Sequence, residues 1–111
     1  MSGTDLLGEF EQLVLLGLLQ QAERGFAILI RETLEAATER KISRGALYRT
    51  LDRLGEKGLV RWTTETPTPE RGGLPRKRFE VTEQGIVALQ RSRSVMRKLT
   101  GGLEDLLGSV G

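Results

Sequence analysis

The sequence predicts a mainly α-helical fold carrying one small β-hairpin, ordered helix, helix, helix, strand, strand, helix. Three observations predict it. Apolar residues recur at helical spacing over residues 6–21, 26–38 and 43–57. The period then changes to two extended stretches, 59–64 and 76–81, parted by a run rich in Pro and Gly. A final stretch opens at Thr82 and returns to apolar residues at helical spacing, through Ile86, Leu89, Met96, Leu99, Leu103 and Leu106.

Along the first helix, Leu6, Phe10, Leu13 and Val14 define one apolar side, and Leu15, Leu16, Leu18 and Leu19 fill much of the remaining circumference. A helix so apolar is buried on more than one side, against its own core and another subunit. Gly25 breaks the pattern with a short turn. The second helix has an expected apolar side of Ile28, Leu29, Leu34 and Ala37 and an expected solvated side of Arg31, Glu32 and Glu35. The third follows the basic link Arg40-Lys41, with Ser43 as its N-cap and Gly58 as its stop. On it Leu47, Leu51 and Leu54 fall at i, i+4 and i+7 and point inward.

Pro67-Thr68-Pro69-Glu70-Arg71-Gly72-Gly73 cannot continue the first strand and forms a turn or loop. Phe79 and Val81 share a face of the second strand, and Trp62 is expected to pack at the hairpin base. In the last helix, Gly101-Gly102 predicts a kink or a frayed end, since each Gly costs about 1 kcal/mol relative to Ala. The alternative is that the helix stops there and residues 103–107 form a separate turn.

Composition narrows the function. A chain of 111 residues forms one domain with a modest core, helped by a partner chain. It has no cysteine and no histidine, which removes the usual zinc ligands, general base and nucleophile–base pairs. We expect no cofactor, no metal and no enzyme. The acid pairs Glu32/Glu35 and Glu104/Asp105 read as solvated helix faces. The acidic N-terminus and the short apolar run 13–19 predict no signal peptide and no membrane span, hence a cytoplasmic protein.

The charge is segregated. Residues 40–78 hold eleven Lys and Arg against four acids, +7, whereas the whole chain is +2, so the remainder carries −5. Such a footprint suits a nucleic-acid reader. With its leucines inward, the third helix turns Gly45, Arg49 and Asp52 outward, with Tyr48 and Arg53 on the flanks and Arg44 in the first turn. Gly45 would permit close approach, Arg49 a forked bond to guanine and Tyr48 a phosphate contact. Arg71, Gly72, Arg76, Lys77 and Arg78 load the hairpin, which could follow a DNA backbone or enter a minor groove. The plainer readings are solvated arginines on the helix and a charged exposed edge on the hairpin.

Ser43-Arg44-Gly45-Ala46-Leu47-Tyr48-Arg49-Thr50-Leu51-Asp52-Arg53-Leu54, followed by Glu56-Lys57-Gly58-Leu59-Val60, resembles the recognition-helix segment of the PadR-like transcriptional regulators. The stretch from Gly72-Gly73-Leu74-Pro75-Arg76-Lys77-Arg78-Phe79 to Glu80-Val81-Thr82-Glu83-Gln84-Gly85 resembles that family's wing and following helix start. The resemblance implies a winged helix-turn-helix domain over residues 1–82, with a recognition helix near 43–57 and a wing near 59–81. Residues 83–111 would then be a dimerisation helix packed on the same domain. It also implies a dimeric repressor joined through its first and last helices. By motif position Tyr48 and Arg49 contact DNA, and Lys77 is a wing cation. Where many relatives carry two adjacent aromatics after that lysine, this chain has Arg78-Phe79, which puts an aromatic role at 78 in doubt.

Leu89, Met96 and Leu103 are spaced by sevens, with Leu99 and Leu106 alongside. The stripe suits a contact with a second subunit, together with Leu13 and Leu16 of the first helix, or packing on the chain's own first helix. The expected partners are a second copy and a pseudo-palindromic double-stranded DNA with half-sites roughly 34 Å apart. The resemblance adds a small hydrophobic effector that could relieve repression, although no residue here shows one. The alternative function is a winged-helix module whose basic face binds an acidic protein.

Overall fold

The computed structural model describes residues 6–66, 72 and 75–108. Its elements are α1 (Glu9–Gln21), α2 (Ala27–Thr38), α3 (Arg44–Glu56), β1 (Val60–Glu65), β2 (Arg76–Val81), α4 (Glu83–Thr100) and α5 (Glu104–Leu107). Mostly helical with a two-stranded antiparallel hairpin, it has the predicted element order.

α1 is the centre of the core and packs on α2, α3, β2 and α4, with Val14, Leu15 and Leu18 buried. It starts at Glu9 rather than Leu6, because Gly8 is extended and serves as the N-cap. The Glu11 carboxylate accepts the Gly8 N–H at 2.9 Å, and the Leu7 N–H donates to Ser92 Oγ at 3.1 Å. These bonds hold the entering chain against α4.

The inward face of α2 is Ile30 and Leu34, so of the predicted apolar side Leu34 is buried while the face is rotated towards Ile30. Ile28 and Ala37 are exposed. Four consecutive apolar residues, 27–30, leave the helical phase ambiguous in sequence. Tertiary structure resolves it: Phe26 is extended and bridges to Arg78, which fixes where the helix begins. The expected solvated side is also partly engaged, since the Glu35 carboxylate accepts the Ile42 N–H at 2.7 Å. Glu39, in the left-handed conformation at φ 57°, turns the chain from α2 towards α3.

Ser43 caps α3 as expected, its hydroxyl accepting the Ala46 N–H at 3.0 Å. Gly58 closes it at φ +76°, a conformation that side chains with a Cβ resist. Leu59 N–H reaches Leu54 O at 2.9 Å and Gly58 N–H reaches Gly55 O at 3.0 Å, the paired bonds of a Schellman ending. That ending drops Leu59 into the core and aims Val60 into β1.

β1 and β2 pair from Val60↔Val81 to Glu65↔Arg76. The hairpin is tied to the helices at Gly25, whose carbonyl accepts the Phe79 N–H at 2.7 Å. The backbones approach so closely that a methyl group at 25 would overlap the Phe79 carbonyl oxygen. Gly25 is therefore a seat for the wing as well as a turn.

α4 begins at Thr82, whose hydroxyl accepts the Gly85 N–H at 3.1 Å, and stops at Gly101. α5 is a separate short turn, which is the alternative outcome for Gly101-Gly102. The radius of gyration is 15.9 Å, against about 13 Å for a compact chain of this length. The later turns of α4 leave the core behind, with Met96 and Leu99 exposed. No helix among the described residues is long and apolar enough to cross a membrane.

Candidate nucleic-acid interface

The basic face is built on α3. Leu47, Leu51 and Leu54 are buried, which turns Arg44, Gly45, Arg49, Asp52 and Arg53 outward. Ser43 is exposed at the tip. Arg49 folds back along the helix, so that a Cβ at Gly45 would sit 3.1 Å from its Nη1. Tyr48 is half-buried at the edge of the core, and the Arg44 guanidinium lies 5.8 Å from its ring centroid. Tyr48 is thus both a packing residue and a rim residue.

The cations of the 40–78 window divide into two groups. Arg53 and Lys57 reach Glu11 Oε2 at 3.3 and 2.8 Å. Arg61 bonds Glu80 at 2.7 Å, while Arg76 and Arg78 lie 3.4 and 3.7 Å from Glu65. Arg40, Lys41, Arg44, Arg49 and Lys77 have no carboxylate partner among the described residues. Four of these five lie within ten residues at the start of α3. Gly72 is exposed in the loop at φ +66°, and Arg71 lies outside the described residues.

Two wing cations also lie over aromatic rings. Arg76 sits 3.6 Å from the Phe26 ring centroid, and Lys77 Nζ sits 5.0 Å from that of Trp62. Trp62 does not pack at the hairpin base; it is 52% exposed. It lies two residue pairs beyond Val60↔Val81, opposite the buried Phe79, and borders an open groove of about 610 Å³ with Leu51, Val60 and Phe79.

Glu11 and Arg31 were not singled out from sequence. Glu11 is buried: burial raises its carboxyl pKa, but Lys57, the Gly8 N–H and Arg53 outweigh that and hold it below the ordinary 4.5. Its signal in sequence is an acid at the third position of the helix, a position that favours backbone capping. Glu80 is also held below 4.5, first by its hydrogen bond from Arg61 and then by that residue's charge. Arg31, expected to be solvated, is half-buried on α2 and lines a cleft facing Arg44 and Tyr48.

The residues expected to join two subunits separate in the same way. Leu89, at 5% exposure, belongs to the chain's own core, and Leu13 packs against that core. Assigning Leu89 to an intersubunit contact is corrected accordingly, because α1 already covers that part of the stripe. Leu16, Met96, Leu99, Leu103 and Leu106 remain exposed.

Three helices, a hairpin that folds back beside the third, and a trailing helix define a winged helix-turn-helix protein. The profile of the transcriptional regulator PadR-like family matches residues 15–91, and the chain belongs to that family. A PadR-like transcription factor from Bacteroides fragilis is similar in structure, with a TM-score of 0.73 and 25% identity over 87% of this chain and 88% of its own. A PadR-like regulator from Bacillus cereus matches at TM-score 0.69 and 20% identity, covering 91% and 93%. F93 from STIV, a winged-helix DNA-binding protein, matches at TM-score 0.67 and 18% identity, covering 88% and 98%. No curated protein matches the sequence. The chain is thus a transcriptional regulator on the fold of DNA-binding winged-helix proteins.

Proposed function

We propose that the protein is a dimeric, sequence-specific repressor that lays the start of α3 in a major groove and its wing along the flanking backbone. The observation that carries this reading is the grouping of Arg40, Lys41, Arg44 and Arg49 at one helix end without carboxylate partners among the described residues. Cations already neutralised by Glu11, Glu65 and Glu80 have less to offer a phosphate. Arg49, beside the small Gly45, is assigned base reading, while Ser43, Arg44, Tyr48 and Lys77 hold the backbone. Arg53, Arg76 and Arg78 are assigned mainly to holding α3 and the wing in place.

The dimer is supported by exposed Leu16 on α1 and by Met96, Leu99, Leu103 and Leu106 on and beyond α4. Two copies of α3 related by a two-fold axis would read half-sites roughly 34 Å apart. Relief of repression by a small hydrophobic effector belongs to the same proposal, with those apolar side chains as its walls.

Footprinting and competition titration on the gene's own upstream DNA test the reading. Arg49→Ala should cost about 1–3 kcal/mol on the operator and relax specificity at one base step. Equal competition by random DNA for the parent protein would count against sequence-specific regulation and favour an acidic protein partner.

A further inference from the structure

We propose that the cleft between α2 and the start of α3 seats a DNA backbone phosphate, held by Arg31 with Arg44 and Tyr48. This rests on the DNA-binding reading above and adds an anchor from α2, outside the recognition helix and the wing. The cleft encloses about 320 Å³ between Ala27, Ile28 and Arg31 on one side and Arg44, Leu47 and Tyr48 on the other. Among the described residues its charged lining is two guanidinium groups and no carboxylate.

Arg31 is the informative residue. Its Nε is buried and has no hydrogen-bond partner among the described residues. An unpaired buried donor on a charged group is uncommon and points to an acceptor supplied from outside. Glu35, one turn further along α2, does not supply it: its Oε2 accepts the Ile42 N–H at the helix-turn-helix junction, and Arg31 Nε is not bonded to it. A small swing of the guanidinium into the cleft would present Nε–H and an Nη–H as the fork that suits a phosphate. The Tyr48 hydroxyl can donate to a further oxygen, and Arg44, over the Tyr48 ring, adds a second positive charge.

The location selects DNA among possible anions. Arg44 and Tyr48 are on the same end of α3 as Arg49, so a duplex engaged by Arg49 would carry its backbone past this cleft. A phosphate there would be gripped by two helices at once, fixing how deeply α3 enters the groove. The grip carries no base information, since phosphate bonds position the protein and base edges specify the sequence.

The test compares parent, Arg31→Met, Arg31→Lys and Arg49→Ala dimers by titrating operator and random duplexes at several salt concentrations. Arg31→Met keeps the aliphatic stem that borders Ile28, and thermal melting reports whether the fold is retained. We expect it to weaken both duplexes by a similar factor, about tenfold, and to flatten the salt dependence by roughly 0.9 for each phosphate no longer neutralised. Arg31→Lys should restore most of the salt slope and only part of the affinity, because it keeps the charge and loses the fork.

An unchanged slope and affinity in a folded Arg31→Met, with Arg49→Ala still defective, would overturn the phosphate seat and leave the DNA reading standing. Weaker binding to the operator alone would also overturn it, by assigning Arg31 to base reading. If neither Arg31→Met nor Arg49→Ala affected DNA binding, the underlying reading would fall as well. Titration of the parent with inorganic phosphate at constant ionic strength supplies the remaining arm. Binding without DNA that Arg31→Met abolishes would make the cleft a site for a dissolved anion and overturn the proposal.

Discussion

Glu11 shows how much one residue can organise at this scale. It closes the N-terminus of α1 through the Gly8 N–H and, with its other oxygen, reaches two cations one turn apart on α3. The acid is buried while Arg53 and Lys57 remain about half exposed, so the pairing lies between a surface and a buried ion pair. Glu11→Gln should therefore cost about 1–2 kcal/mol of stability near neutral pH, measured by urea denaturation. The folded carboxyl is held below its ordinary 4.5, so its stabilisation is present above that value and is lost as pH falls through the folded pKa. The gap between parent and variant should narrow steadily below pH 4.5, and a gap unchanged at about pH 3 would show that the contribution is not ionic. Base-reading candidates such as Arg49 were legible in sequence because an outward face follows from an inward leucine stripe. Glu11 was less legible, since its partners lie 42 and 46 residues away and no local pattern joins them.

Elements were legible where local chemistry and tertiary packing agree. α3 has a Ser cap, a single leucine stripe and a Gly stop, and each is found in its predicted role. α2 has apolar residues on every side of its first turn, so its phase was set by the bridge from Phe26 to β2 and not by its own pattern. The wing depends on the same junction. Gly25 lets the α1–α2 turn lie against β2, and Phe79, whose N–H is bonded there, is buried in the core. Gly25→Ala must part the α1–α2 turn from β2, because the new methyl would overlap the Phe79 carbonyl oxygen, and it also crowds Leu18. Overpacking of this kind costs about 1–3 kcal/mol. We expect a lower melting temperature, together with faster amide exchange at Phe79 than at Leu51 in the middle of α3. Uniform exchange across both elements would mean that the wing is not separately anchored at Gly25.

Across the whole molecule, one apolar stripe serves two surfaces. On α4, Leu89 and Ser92 are buried against the chain's own core, and the same stripe emerges as Met96 and Leu99, at 58% and 70% exposure. The change occurs because the covering segment at the start of α1 is held at Ser92 by the Leu7 N–H, leaving the next turns of α4 uncovered. Leucines spaced by seven could not reveal in sequence where the intramolecular portion ended, because the repeat is the same on both sides of that point. The division makes the proposed dimer testable without disrupting the protomer. Met96→Asp with Leu99→Asp adds two charges to the exposed portion and leaves Leu89 and Ser92 in place, so the protomer should retain its helical circular dichroism. Burying those acids between subunits would be strongly unfavourable, and sedimentation should report a mass half that of the parent. Operator affinity should fall by at least about a hundredfold, since two linked half-site contacts become one. Leu89→Asp should instead unfold the chain, because its side chain has no route to water. A Met96/Leu99 double variant that sedimented with the parent and bound the operator as tightly would place the dimer contact elsewhere, with exposed Leu16 and Leu19 of α1 as the next surface to alter.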